Sequence, residues 1–326
     1  MKKTLLTLGL FSLLTLACQQ SEKKKDNQQN VTEQSEKTQK PKFDYSAKKA
    51  MEFLASNDLN GRDTGTEGID KAANYIESAF ESFEVQPYFE TFRDSFQVKA
   101  MHAYNVVGIL KASNQTDKKP LIIGAHYDHI GFSKAVEGDS IANGANDNAT
   151  GTVAVLELAQ YLSQQDLNRD VIFALFSAEE KGLLGSKHLA EKMKSKNAIP
   201  LAVFNIEMLG IPMEGKDFEA YLTGYDGSTM AGVFNQAYKS KFLGFLPKAK
   251  EFQLFKRSDN YPFYETFNIP AQTVCTFDFT NFEYYHHVDD EIQHLDLEFF
   301  QNIVNEMKPG IMNLINVDED QLKLNE

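Results

Sequence analysis

The sequence predicts an α/β protein with a mostly parallel, mixed sheet and helices on both faces. Strand-length apolar runs alternate with helical patterns from about residue 43 onward. Several runs, such as VIFALF at 171–176, are apolar without a break, as strands are when both faces of a parallel sheet are covered. Polar residues crowd just after the runs, where such sheets bind ligands beyond the carboxyl ends of their strands.

The elements follow in order. Ala47–Ser56 has helical apolar spacing, and Ile69–Phe83 repeats it with Ala72, Ala73, Ile76, Ala79 and Phe80. The stretch between them, Asn60–Gly68, is a polar, glycine-rich loop. Strand-like runs come at Tyr104–Leu110, Pro120–Ala125, Asp170–Phe176, Leu201–Ile206, Ala220–Thr223 and Pro270–Phe277. Helical patterns at Gly151–Ser163, Ser186–Lys194 and Glu298–Ile315 separate several of them. Residues 212–265 read as loop-rich, with insertions around a cleft. No internal repeat is visible, and 43–326 reads as one domain.

The first 42 residues differ from the rest. A basic start, Met1-Lys2-Lys3, precedes an apolar run that ends in Leu14-Thr15-Leu16-Ala17-Cys18. That is a signal-peptide pattern over 1–18, too short for a spanning helix of about 20 residues. A Cys after a small residue at the cleavage point resembles a bacterial lipoprotein signal, which implies a lipid on Cys18. Thr15 departs from the usual box, and plain secretion or an uncleaved anchor is the alternative. Residues 19–42 hold Val31 as their one aliphatic residue and no aromatic. Such a segment cannot bury enough apolar surface to offset the entropy of ordering, so it reads as a polar tether. The expectation is an exported body held at a membrane, on the periplasmic or cell-surface side.

The 326 residues carry a formal net charge of −13. Residues 1–42 hold eight Lys and four acidic residues, so the remainder has 25 basic against 42 acidic groups. A nucleic-acid partner is not expected, because phosphate binding needs Lys and Arg clusters. Two cysteines, Cys18 and Cys275, cannot form a disulfide framework. Cys275 lies in an apolar run and reads as a buried strand residue.

Metal-ligand residue types gather at the strand ends. PLIIGA runs into His126-Tyr127-Asp128-His129, VIFALFSA into Glu179-Glu180, and LAVFNI into Glu207. Asp147 sits in GANDNATG before a helix, and Tyr284-Tyr285-His286-His287-Val288-Asp289-Asp290 comes near the end. Singly, each has a plain structural explanation: a satisfied histidine, a surface charge pair, a helix cap. Together, carboxylates and imidazoles on one expected rim point to a cation. Clustered carboxylates repel unless one neutralises them, and Zn²⁺ takes N and O ligands of this kind.

The ordered set GAHYDH, GANDNATG, FSAEEKGLLGS, FNIEM-LG, RSDNYPF, NIPA and YYHHVDD resembles the M28 family of zinc aminopeptidases. The resemblance runs from the Gly61–Gly68 loop to about Asp290, most of the body. It implies a zinc-peptidase, phosphorylase/hydrolase-like α/β/α sandwich with two Zn²⁺ ions and a peptide substrate. Asp147 matches the carboxylate that bridges both ions. Glu180 and His286 match the remaining ligands of one zinc, and His126 and Glu207 those of the other. Glu179 matches the general base, and Asp128 the carboxylate that orients His126. His286 is preferred to His287 because the family pattern is Tyr-His followed three residues on by Asp, here Asp289. The family usually has Asp at the Glu207 position, and Asn260 stands where His commonly follows Ser-Asp. The leading functional expectation is an exported aminopeptidase. A glutaminyl-cyclase-like single-zinc acyltransferase, an inert binding module on the same fold, and a carboxypeptidase or dipeptidase are the alternatives.

Overall fold

The computed structural model describes residues 43–326. The signal-peptide and tether readings over 1–18 and 19–42, with Cys18, lie outside the described residues. The strands are β1 (Gln86–Pro87), β2 (Arg93–Val98), β3 (Met101–Leu110), β4 (Leu121–His126), β5 (Gly131–Val136), β6 (Asp139–Ala142), β7 (Val171–Phe176), β8 (Ala202–Glu207), β9 (Phe218–Leu222), β10 (Lys241–Gly244) and β11 (Ala271–Cys275). The α-helices are α1 (Ala47–Leu54), α2 (Glu67–Ser82), α3 (Thr150–Leu162), α4 (Leu184–Ser195), α5 (Met230–Asn235), α6 (Pro247–Glu251), α7 (Asn260–Phe267) and α8 (Leu297–Asn316).

Nine strands form the main sheet, in the order β1-β3-β7-β4-β8-β11-β9-β10, with β2 also on β3. Its centre, β7-β4-β8-β11, is parallel. The flanks are antiparallel where β3 meets β7 and β9 meets β11. A separate hairpin, β5–β6, lies off the sheet.

Alternation along the central strands sends side chains to two layers. Leu121, Ile123 and Ala125 of β4 join the larger core with α1, α2, α3, α5 and α8, as do Val171, Phe173 and Leu175 of β7. Ile122, Ile172, Ala174, Phe176 and Val203 face the other layer, where Leu189 and Met193 of α4 and Phe263 of α7 cover them. This double coverage is why the strands read as unbroken apolar runs. Each fully buried Leu, Ile or Phe contributes about 1.5–3 kcal/mol.

Helix α8 contains Pro309. Proline removes a helical N–H and pushes away the carbonyl a turn earlier. The Tyr238 hydroxyl fills the gap: it donates to Glu306 O at 2.6 Å and accepts from Gly310 N at 3.0 Å. Gly310 leaves room for Phe234, since a Cβ there would lie 2.4 Å from that ring.

The region 212–265 is richer in structure than its composition suggests. It holds β9, β10, α5, α6 and the start of α7. These elements are four to eight residues long, too short for periodicity to register. Pro262, in the first turn of α7, is tolerated because that N–H has no helical partner.

Candidate metal centre

The parallel centre of the sheet brings three chain segments to one rim. Strand β4 ends at His126, paired in register with Phe176 at the end of β7. Glu179 and Glu180 follow β7 after a tight turn with Ala178 at φ 57. Glu207 ends β8, in register with Cys275 of β11. Asp147 arrives on the loop before α3, and His286 on the loop that follows β11.

Asp147 is the hub. Its Oδ1 lies 3.3 Å from His126 Nε2, and its Oδ2 lies 3.2 Å from His286 Nε2. His286 Nε2 is also 3.2 Å from Glu180 Oε1. The two oxygens of one carboxylate thus face two different groups. Asp147 is held by its backbone: Asp290 accepts from Asn146 N at 2.7 Å and from Asp147 N at 3.0 Å. Asp290, not Asp289, is therefore the carboxylate of the YYHHVDD segment that serves the centre. Asp289 pairs with His287 at 3.3 Å instead, and His286 is left to face Asp147.

The expected role of Asp128 changes in detail. His126 Nδ1 is 3.1 Å from the backbone carbonyl of Asp128 and 3.8 Å from its carboxylate. The carboxylate accepts instead from Glu179 N at 3.2 Å, Glu180 N at 3.4 Å and Thr64 Oγ1 at 3.2 Å. Asp128 orients His126 through its main chain and braces the Glu179-Glu180 turn through its side chain.

Glu207 ends its strand as expected and lines one cleft with His126, Asp147, Glu179 and Glu180. Its carboxylate accepts from Ser258 Oγ. Among the described residues it forms no ion pair with His126. Ser258 is a partner with no signal in the β8 segment itself.

The electrostatics are those of a site short of positive charge. Burial pushes Glu179 well above the usual carboxylate range, Glu207 up to about 7 and Asp259 up to about 8. Burial works against a charged His286, but hydrogen bonds to Asp147 and Glu180 outweigh it and lift the imidazole to about 10. Neighbouring carboxylates hold His126 well above its ordinary value too, against its burial. Arg62, fully buried, is a fixed cation here. Burial lowers it to about 10, with Asp290 and Asp128 opposing. Its guanidinium donates to the carbonyls of Tyr127 at 2.9 Å, Asn143 at 2.5 Å, Gly144 at 3.0 Å and Leu54.

His129 carried no role in the sequence reading, yet it joins the group. Its Nδ1 is 3.1 Å from Glu180 Oε1 and 3.8 Å from Asp147 Oδ2. The separation of three from His126 in GAHYDH was the available signal. Donor separations of 3.1–3.8 Å bracket the roughly 3.3 Å expected between neighbouring tetrahedral ligands with bonds of about 2.0–2.1 Å. With carboxylates in excess, the donor set fits a divalent cation such as zinc.

The fold and this rim define an α/β protein with a built cation centre at a sheet's carboxyl edge. The chain belongs to peptidase family M28, whose family model matches residues 105–308. Aminopeptidase YwaD of Bacillus subtilis is 31% identical over 201 residues, 60% of this chain and 41% of that protein. The chain therefore spans about two fifths of that relative's length. Among solved structures, BSAP, a zinc aminopeptidase from Bacillus subtilis, superposes with a TM-score of 0.64 at 17% identity, covering 86% of this chain and 98% of that one. Porphyromonas gingivalis glutaminyl cyclase superposes with a TM-score of 0.62 at 18% identity, covering 83% and 98%. At such identities these two likenesses concern the fold.

Proposed function

We propose that this chain is a zinc aminopeptidase that hydrolyses the N-terminal bond of peptides. The observation that carries the reading is Asp147, whose two oxygens face His126 on one side and His286 with Glu180 on the other. One ion would be held by His126, Asp147 and Glu207, the other by Asp147, Glu180 and His286. Zinc, when bound, supplies Lewis acidity and makes water a better nucleophile at neutral pH.

The chain's own residues do the rest. Glu179 lines the same cleft as the ligands and, among the described residues, forms no ion pair. A carboxylate placed there can take a proton from water and give it to the departing amine. Asp128, bonded to the backbone of Glu179 and Glu180, sets where that base stands. Tyr285 and Phe279 line the cleft and offer it an apolar side.

A panel of aminoacyl chromogenic substrates, with free and blocked N-termini and with and without chelator, tests the reading. Chelator-sensitive cleavage of free N-termini only is expected. Cleavage of blocked substrates would point to a carboxypeptidase or dipeptidase. Conversion of N-terminal glutamine without hydrolysis would point to cyclase chemistry, and no turnover at all to a binding module. Export with a lipid on Cys18 is part of the proposal, resting on the sequence pattern alone. Fatty-acid labelling that survives Cys18→Ala would refute it.

A further inference from the structure

His129 is the best enclosed imidazole of the centre. It is fully buried, whereas the side chain of His286 is 36% exposed. The residue is fixed from three sides. Its backbone N–H donates to the Arg62 carbonyl at 3.3 Å. Gly144, at φ +58, packs against it, and a Cβ there would lie 2.6 Å from the imidazole Cγ and Cδ2. The third side is the carboxylate pair of Glu180 and Asp147, toward which Nδ1 points.

Its hydrogen bonding is lopsided. Nε2 is buried and has no hydrogen-bond partner among the described residues. An unpartnered Nε2 is common to either role of Nδ1, metal donor or hydrogen-bond donor, so the surroundings of Nδ1 decide between them. The ring commits Nδ1 alone, to the same Glu180 Oε1 that His286 Nε2 approaches. The donor atoms of His129, Asp147 and Glu180 all lie within 4.8 Å of one another.

We propose that His129 Nδ1 is a direct donor to the ion held by Asp147, Glu180 and His286, giving that ion two imidazoles. The inference rests on the metal-centre reading above and extends it to an unassigned residue. It makes the two ions unequal. The first has four protein donors, two of them, His129 and Asp147, buried. The second has one imidazole, a shared Asp147 and a Glu207 already engaged by Ser258. On stepwise chelation the Glu207 ion leaves first and the His129 ion last.

The competing arrangement is a protonated Nδ1 that donates to Glu180 and only positions it. The two differ in what Nδ1 carries, so spectroscopy separates them. The probe is ¹¹³Cd²⁺ loaded into ¹⁵N-histidine-labelled protein. Expected are ¹¹³Cd–¹⁵N couplings at Nδ1 of His129 and at Nε2 of His126 and His286. The His129 signal is assigned by its loss in His129→Ser, or by through-bond correlation in the wild type if that variant does not fold. Coupling at His126 and His286 with a protonated, uncoupled His129 overturns this inference alone. No coupling at any of the three overturns the metal-centre reading with it. In parallel, His129→Ser is expected to release its last metal at a lower chelator concentration than the wild type. Release at the same concentration counts against direct ligation.

Discussion

Replacing Arg62 with Lys keeps the charge and removes the geometry. The guanidinium is buried and donates to four carbonyls, those of Leu54, Tyr127, Asn143 and Gly144. Those carbonyls belong to three chain segments, and a flat fork of five donors can reach them all. An ammonium presents its three donors from a single point and would satisfy about two of the four. Two buried carbonyls left unpaired cost about 1–3 kcal/mol each, so the expected loss is about 2–6 kcal/mol. Against a total stability of about 5–15 kcal/mol that is a large fraction. Urea denaturation in the presence of chelator measures it without a contribution from bound metal. The loss should carry through to the centre, since Tyr127 lies between His126 and Asp128, and Gly144 stands three residues before Asp147. Metal affinity of Arg62→Lys is therefore expected to fall as well. A variant within 1 kcal/mol of the wild type, with unchanged metal affinity, would refute the idea that this clamp sets the site.

Glu179→Gln should bind metal as the wild type does and lose about 10²–10⁴ of turnover; a fully active variant with normal metal content would remove Glu179 as the base. Tyr238→Phe deletes the hydroxyl that bridges Glu306 and Gly310 across Pro309, and should cost about 1–3 kcal/mol in chemical denaturation. Equal midpoints would show that the helix does not need the bridge. Asp94 is buried against Asn105 and against Lys192 and His188 of α4. Its burial alone would raise its pKa, but hydrogen bonds from His188, Lys192 and Asn105 prevail and hold it below 3.8. The group is thus more acidic folded than unfolded. Its contribution is complete above the unfolded value and vanishes as the pH falls through the folded one. The stability gap between wild type and Asp94→Asn should be present at pH 5 and shrink below pH 4; a gap unchanged at pH 3 contradicts this.

The long, periodic elements were legible because their burial is periodic. Helix α2 buries Ile69, Ala72, Ala73, Ile76, Ala79 and Phe80, the residues whose spacing marks it in the sequence. The central strands read correctly because both faces are covered. Hairpin β5–β6 escaped because its residues are mostly exposed or half-buried and carry no alternation, with Phe132 63% exposed. A mixed sheet was expected, but which strands run antiparallel escaped, because strand direction is a property of connections, not of side chains. At the centre, residues at strand ends could be read from position. His129 left only its separation of three from His126, because its placement depends on a Gly144 that leaves room for a ring from another segment. Arg62 was hidden for a related reason: its partners are main-chain carbonyls, which leave no trace in residue identity.

The donors around Asp147 come from chain positions far apart, from His126 to His286, and Cys275 is a free, buried thiol. An ion held there is a cross-link that closes loops as long as a disulfide could, but one set by mass action. Above its dissociation constant, each ten-fold rise in free metal adds about 1.4 kcal/mol to the folded state. The melting temperature of this protein then becomes a readout of free zinc.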